Sequence, residues 1–102
     1  MSQIQKHFNP QTAELTIEVV GPFNFEDIST FRAAYEGLEH APQQVVVDLR
    51  QVQAIDSAVL GMLLSMQRKL ALAREGIRII NAQADVRRIL EITHFDKKFI
   101  IE

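Results

Sequence analysis

The chain has 102 residues, 47% of them apolar and 24% charged, which is the length and balance of one small globular domain. It has no cysteine, which excludes a disulfide framework, a thiolate zinc site and a thiol nucleophile. Its formal charge of −2 gives no electrostatic case for direct nucleic-acid binding.

Residues 3–8, with Ile4 and Phe8 apolar, read as a short strand, and Asn9-Pro10-Gln11 as a turn. Residues 13–19 alternate, with Leu15, Ile17 and Val19 on one side and Glu14, Thr16 and Glu18 on the other, so the two segments predict a hairpin that Gly21-Pro22 ends. Asn24 is placed to cap a helix running to about Glu39. Its first turn holds Glu26 and Asp27, and Ile28, Phe31, Tyr35 and Leu38 form its apolar face. Pro42 falls in the next loop. The run Val45-Val46-Val47, with Leu49, suits a central strand covered on both faces.

A second helix is expected from Ser57 to about Glu75, with Val59, Leu63, Met66, Leu70 and Ala73 facing inward and Gly76 as its stop. Ile77, Ile79 and Ile80 form a strand. Residues 84–93 suit a third helix with Val86, Ile89, Leu90 and Thr93 inward and Arg87, Arg88 and Glu91 outward, and Phe99, Ile100 and Ile101 read as a closing strand or an extended tail. Strands joined through helices are parallel neighbours with right-handed crossovers, and the first hairpin adds an antiparallel pair. The expected fold is therefore α/β: a mixed sheet with an N-terminal hairpin and alternating helices packed against it, in a single domain over 1–102.

No stretch is long enough to span a bilayer: Ala58–Met66 is far short of the ~20 residues required. MSQIQKHFNP lacks the apolar region of a secretory leader, so the expectation is a cytoplasmic protein with no membrane insertion.

The start of the second helix carries the chemistry. The first N–H groups of a helix lack intrahelical partners, and either Asp56 or Ser57 can supply a side-chain acceptor. One reading makes the pair only a helix cap. The other makes Ser57 a phosphoacceptor: a phosphate adds about −1.5 to −2 charge, which a helix N-terminus tolerates and the adjacent Asp56 opposes. Ser57, Gly61 and Ser65 are spaced by four and share a face, with Ala58 and Met62 beside them and Arg68 and Lys69 one turn on. Small side chains permit close approach and methionine adapts to a partner surface, so Ala58, Gly61, Met62 and Ser65 are candidate partner-binding residues. Packing within the domain is the competing role for Gly61 and Met62, and Leu72 is a further candidate apolar contact.

The segment VVVDLRQVQAIDSAVLGMLLSMQRKL resembles the STAS domain family, named for sulfate transporters and anti-sigma factor antagonists. The likeness runs from about residue 13 to 101. It takes in Asp48-Leu49 at a strand end, the Asp56-Ser57 pair, Leu60-Gly61, the Gly76-Ile77 turn and the late Val86-Arg87-Arg88-Ile89-Leu90 helix. The resemblance implies a partner-switching protein. Its unphosphorylated form binds an anti-sigma factor or switch-protein kinase, phosphorylation of the motif serine (here Ser57) weakens that complex, and a serine phosphatase resets it. Where the family often continues Ser-Ser-Gly or Ser-Ala-Gly, this chain has Ser57-Ala58-Val59, with a stiff side chain in place of a permissive glycine. Members with this domain alone also control biofilm or motility outputs.

Two other functions remain as expectations: a structural or regulatory STAS subunit of a membrane transport complex, and a small hydrolase with Ser57 as nucleophile. The hydrolase lacks a motif-positioned base. His7, His40 and His94 have no metal-ligand spacing, and there is no phosphate loop, nucleophile elbow or HExxH motif, so neither metal nor cofactor is expected. Asp48 and Asp56 are read as a strand-end residue and a cap rather than a magnesium-binding pair, and Arg87-Arg88 as a solvated helix face. Ser29, Thr30 and Ser65 are alternative phosphoacceptors.

Overall fold

The computed structural model describes residues 3–102. Its elements run β1 (Gln3–Asn9), β2 (Glu14–Val20), α1 (Ile28–Glu36), β3 (Gln44–Gln51), α2 (Ser57–Leu70), β4 (Ile77–Ile80), α3 (Ala84–Ile92) and β5 (Ile100–Ile101), with short 3-10 turns at Phe25–Asp27, Arg74–Gly76 and Phe95–Lys97. The five strands lie in chain order in one sheet. The β1–β2 pair is antiparallel and every later pair is parallel. This is the mixed α/β architecture expected from the sequence.

Because each crossover steps one strand further in the same direction, right-handed connections put all three helices on one face of the sheet. The alternation along the strands follows from that. Leu15, Val45 and Ile77 stand in register on the helix side, as do Ile17, Val47, Ile79 and Ile101, and they join Phe31, Val59, Leu63, Met66, Val86 and Leu90 in one apolar cluster. Full burial of each such side chain contributes roughly 1.5–3 kcal/mol. The opposite face carries Thr16, Val46, Arg78 and Ile100 in register. The double covering expected for β3 is therefore not found. Val46 lies outside the core cluster and is shielded, to 6% exposure, on a sheet face that has no helix.

The hairpin turn is held by Asn9, whose Oδ1 accepts the Gln11 N–H at 2.9 Å. β1 is a free sheet edge. On it Lys6 pairs with Ile17 and shares the helix-side face with Ile4 and Phe8, yet is exposed. Asn24 caps as expected, through a capping box: its side chain accepts the Glu26 N–H at 2.9 Å and its own N–H donates to Asp27 Oδ2 at 3.0 Å. It opens the 3-10 turn that leads into α1.

Several boundaries and facings differ from the sequence reading. α1 ends at Glu36 with Gly37 as its C-cap, three residues before Glu39. Ile28, expected inward, is 41% exposed, because the 3-10 entry rotates the first helical residue away from the core. α2 ends at Leu70, well before Gly76. Ala71 takes the left-handed conformation (φ 54°), and the Ala71 and Leu72 N–H groups return to the Gln67 carbonyl. That reversal brings Leu72 back against the core and turns Ala73 out to solvent. Gly76 instead closes the following 3-10 turn, where a Cβ would meet Leu72 at 3.3 Å. Thr93 is exposed, with its hydroxyl donating to the Ile89 carbonyl at 2.7 Å, and Ile89 is half-buried.

Alanine at a left-handed position is strained relative to glycine. Ala71→Gly is expected to stabilise the fold by about 1 kcal/mol, read as a higher urea midpoint with an unchanged slope.

Candidate functional site

Ser57 is the first residue of α2 and is exposed, and Asp56 is its N-cap. The choice the sequence left open is thereby made: Asp56 caps and the Ser57 side chain is not used for capping. The Asp56 carboxylate is divided between two elements. Oδ1 accepts the Val59 N–H at 3.2 Å, inside α2, while Oδ2 accepts the Phe25 N–H at 3.0 Å, in the turn before α1. Two further links run beside it, Gly21 N–H to the Gln51 carbonyl at 3.1 Å and a parallel bridge between Phe23 and Ile55. The β2–α1 and β3–α2 connections are thus laced together. Phe23, buried beneath the lacing, packs against Phe31 with ring centroids 5.4 Å apart and planes tilted by 45°, and Phe31 meets Tyr35 edge-on at 5.9 Å.

Asp48 is occupied elsewhere. Two residues of β3, Leu49 and Arg50, stand opposite Val19 alone, and this bulge releases the Arg50 N–H from the ladder. Asp48 Oδ1 accepts that N–H at 2.9 Å and the Asn81 side-chain amide at 3.3 Å. Asp48 and Asp56 therefore have separate partners, in the strand-end and capping roles expected of them. Among the described residues, no three His, Cys, Asp or Glu side chains are grouped to hold a metal ion. His7 lies on β1, His40 after α1 and His94 after α3.

Ala58, Gly61, Met62 and Ser65 are brought together: all four line one side of a groove of about 300 Å³, with Ile28, Phe31, Arg32 and Tyr35 opposite. Met62 is 7% exposed and forms the floor, so packing within the domain accounts for most of its side chain. Gly61 is different. It is exposed, and a Cβ built there would meet no atom within 4 Å. Packing inside the domain does not explain this glycine.

The other wall was missed from sequence. Phe25 is 63% exposed and Ile28 41%, and both sit beside Asp56 and Ser57. Phe25 lies three residues before Ile28 and so continues the three-and-four spacing of the α1 apolar face, which is why the spacing did not mark it as exposed. Burial pushes the Tyr35 hydroxyl above its usual range, Glu36 adds to the rise and Arg32 offsets part of it, so Tyr35 is a neutral group in the groove wall at physiological pH.

The superhelical β–α order, with an Asp–Ser pair opening the second helix beside a groove, defines a STAS-type domain. The STAS-domain family described as "Mlab, STAS domain" matches residues 7–102, and the chain belongs to it. A STAS-domain-containing protein of Pseudomonas aeruginosa (strain UCBPP-PA14) is 40% identical over 88 residues, covering 86% of this chain and 87% of that protein. Among solved structures, an anti-sigma factor antagonist from Mycobacterium paratuberculosis aligns with a TM-score of 0.77 at 20% identity, over 99% of this chain and 85% of that one. The Bacillus cell fate determinant SpoIIAA in its phosphorylated form aligns with a TM-score of 0.70 at 13% identity, over 98% of this chain and 91% of that one.

Two outcomes follow from this geometry. In Asp56→Asn a single carbonyl oxygen replaces two acceptors, so the Val59 cap should persist while the Phe25 amide exchanges faster with deuterium. Gly61→Ala should stabilise the free domain by about 0.5–1 kcal/mol, since alanine is the better helix former and the space is open, as read by denaturant titration.

Proposed function

We propose that this chain is a non-catalytic partner-switching regulator of the anti-sigma factor antagonist type. In this reading it acts in the cytoplasm and its binding surface is controlled by reversible phosphorylation of Ser57. The observation that carries the reading is the division of labour at the head of α2. Asp56 does the capping with both oxygens engaged, so the Ser57 hydroxyl is exposed and structurally unspent. A phosphate there sits at a helix N-terminus, which favours anions, and next to a fixed carboxylate, which does not. The domain therefore survives modification while the surface next to Ala58, Gly61 and Ser65 changes sign. The same fold accommodates a phosphorylated form in SpoIIAA.

The partner in this reading is an anti-sigma factor or switch-protein serine kinase, and a serine phosphatase restores the binding form. Unmodified Ser57 permits the complex; a dianion buried at the interface without a counter-charge costs several kcal/mol. The hydrolase reading is weakened because the neighbouring carboxylate is committed to two backbone N–H groups and is not free to serve as base. Among the described residues, no helix is long and apolar enough to cross a membrane.

The test is an affinity pull-down from the native cell, followed by calorimetry of the captured partner with wild type, Ser57→Ala and the Ser57-phosphorylated protein. Wild type and Ser57→Ala are expected to bind alike, and the phosphoprotein at least about tenfold more weakly. Equal affinity of all three ends the switch reading. Recovery with membrane components regardless of Ser57 supports the transport-subunit role instead.

A further inference from the structure

The bond pair made by Asp56 is not symmetric. The Val59 N–H has a second acceptor, the Asp56 main-chain carbonyl at 3.1 Å, so the first turn of α2 keeps a bond if the carboxylate leaves. The Phe25 N–H has none: among the described residues, Asp56 Oδ2 is its one acceptor. The β2–α1 connection is itself anchored on either side of that bond. Phe23 and Phe31 are each 1% exposed, and Gly21 is held by Gln51. Between these anchors the capping box of Asn24 and Asp27 closes on itself, so the turn it forms is a unit, carrying the exposed Phe25 and Ile28 and joined to α2 through the Phe25 N–H. The charges are one-sided as well. Glu26, Asp27 and Asp56 stand on the two connections, and residues 19–31 and 51–67 contain no lysine or arginine. Ser57 is exposed at the first position of α2, and among the described residues neither its N–H nor that of Ala58 has a hydrogen-bond partner. An anion attached to Ser57 Oγ is drawn to those N–H groups and to the positive end of the helix, the end that Asp56 already occupies.

We propose that a phosphate on Ser57 opens this tie: it takes over the positive end of α2, repels the Asp56 carboxylate from the Phe25 N–H, and frees the turn over residues 24–28 to move between its anchors at Phe23 and Phe31. The transfer that installs it balances simply. The serine Oγ forms a bond to the γ-phosphorus of a nucleoside triphosphate, the bond from that phosphorus to the nucleoside diphosphate breaks, and the hydroxyl proton leaves to the kinase or to water. The group adds about −1.5 to −2 charge to a neighbourhood that already holds three carboxylates. Of the two anions at the helix end, the phosphate is the one that the chain places there covalently with no other bond to keep. Asp56 yields on the Phe25 side, where the acceptor has no substitute. The modification then shows on the surface twice, as charge beside Ala58 and as a displacement of Phe25 and Ile28. The inference rests on the reading of Ser57 as the phosphoacceptor and adds what the phosphate does inside the domain.

The experiment measures amide exchange with water by NMR in the full chain, unmodified and Ser57-phosphorylated, with the phosphoserine installed during translation. The Phe25 amide should exchange at least about tenfold faster in the phosphoprotein, the size set by losing a hydrogen bond to a charged acceptor. The Gly21 and Val59 amides, which keep main-chain acceptors, should hold their rates within about twofold. A nearby anion slows base-catalysed exchange, so acceleration at Phe25 reports the lost bond and not the added charge. Asp56→Asn should show the fast Phe25 rate without phosphate, and phosphorylating that variant should add less than about twofold, because both changes act on one bond. An unchanged or slower Phe25 amide, a general rise that includes Gly21, or effects of phosphate and Asp56→Asn that multiply overturns the proposal. Partner affinity of the same two samples separates this inference from the switch reading. Lost affinity with a protected Phe25 amide keeps the switch and ends the opening of the tie, whereas an open tie with undiminished affinity does the reverse.

Discussion

The carboxylate of Asp56 is the tie on which the functional end of this domain depends. One oxygen holds the first turn of α2 and the other holds the Phe25 amide, 31 residues earlier in the chain. Neither bond is strong by itself, since a net contribution near 1 kcal/mol is typical. Together with the Phe23–Ile55 bridge and the Gly21–Gln51 bond, however, they set the relative position of the two loops. The exposed Phe25 and Ile28 are placed beside Ser57 by this tie, and so is the upper end of the α1–α2 groove. An aspartate next to the serine is thus a structural requirement before it is an electrostatic one.

The sheet beneath makes that tie possible. Because the parallel strands advance in one direction, α1 and α2 become neighbours on one face, and the loops that enter them emerge side by side at the carboxyl ends of β2 and β3. The bulge opposite Val19 shifts the register by one residue and lets Gly21 meet Gln51, so the pairing of the two strands continues into the loops first as backbone hydrogen bonds and then as the bond from the Phe25 N–H to the Asp56 side chain. Scaffold and site are therefore continuous.

The sequence made legible what depends on local rules. Alternation from Leu15 to Val19 marked β2, the spacing of Val59, Leu63 and Met66 marked the buried stripe of α2, Asn24 marked the turn that enters α1, and the Asp56-Ser57 pair marked the start of α2 with the capping residue left open between the two. The tertiary choices were not legible. A glycine at position 76 looked like the natural helix stop, yet Ala71 ends α2 because the burial of Leu72 outweighs the strain of a left-handed alanine. Val46 looked like a residue under a second layer because a β-branched run does not report which faces are covered. The Phe25–Asp56 bond leaves no pattern in the chain, since it joins segments brought together only by the crossover. The small-residue face of α2 was visible as spacing, and the wall opposite it, from Ile28 to Tyr35, became visible only once α1 was docked.

The free edge of the sheet is guarded by charge. Lys6 stands on the helix-side face of β1 between Ile4 and Phe8, where a strand added to the edge would have to desolvate its ammonium group. Growth of the sheet by strand addition is therefore opposed at its first step, and again for every copy that follows. The apolar side chains left exposed on the α1–α2 side, Phe25 and Ile28, therefore belong to a molecule whose β1 edge resists the strand addition that builds fibrils.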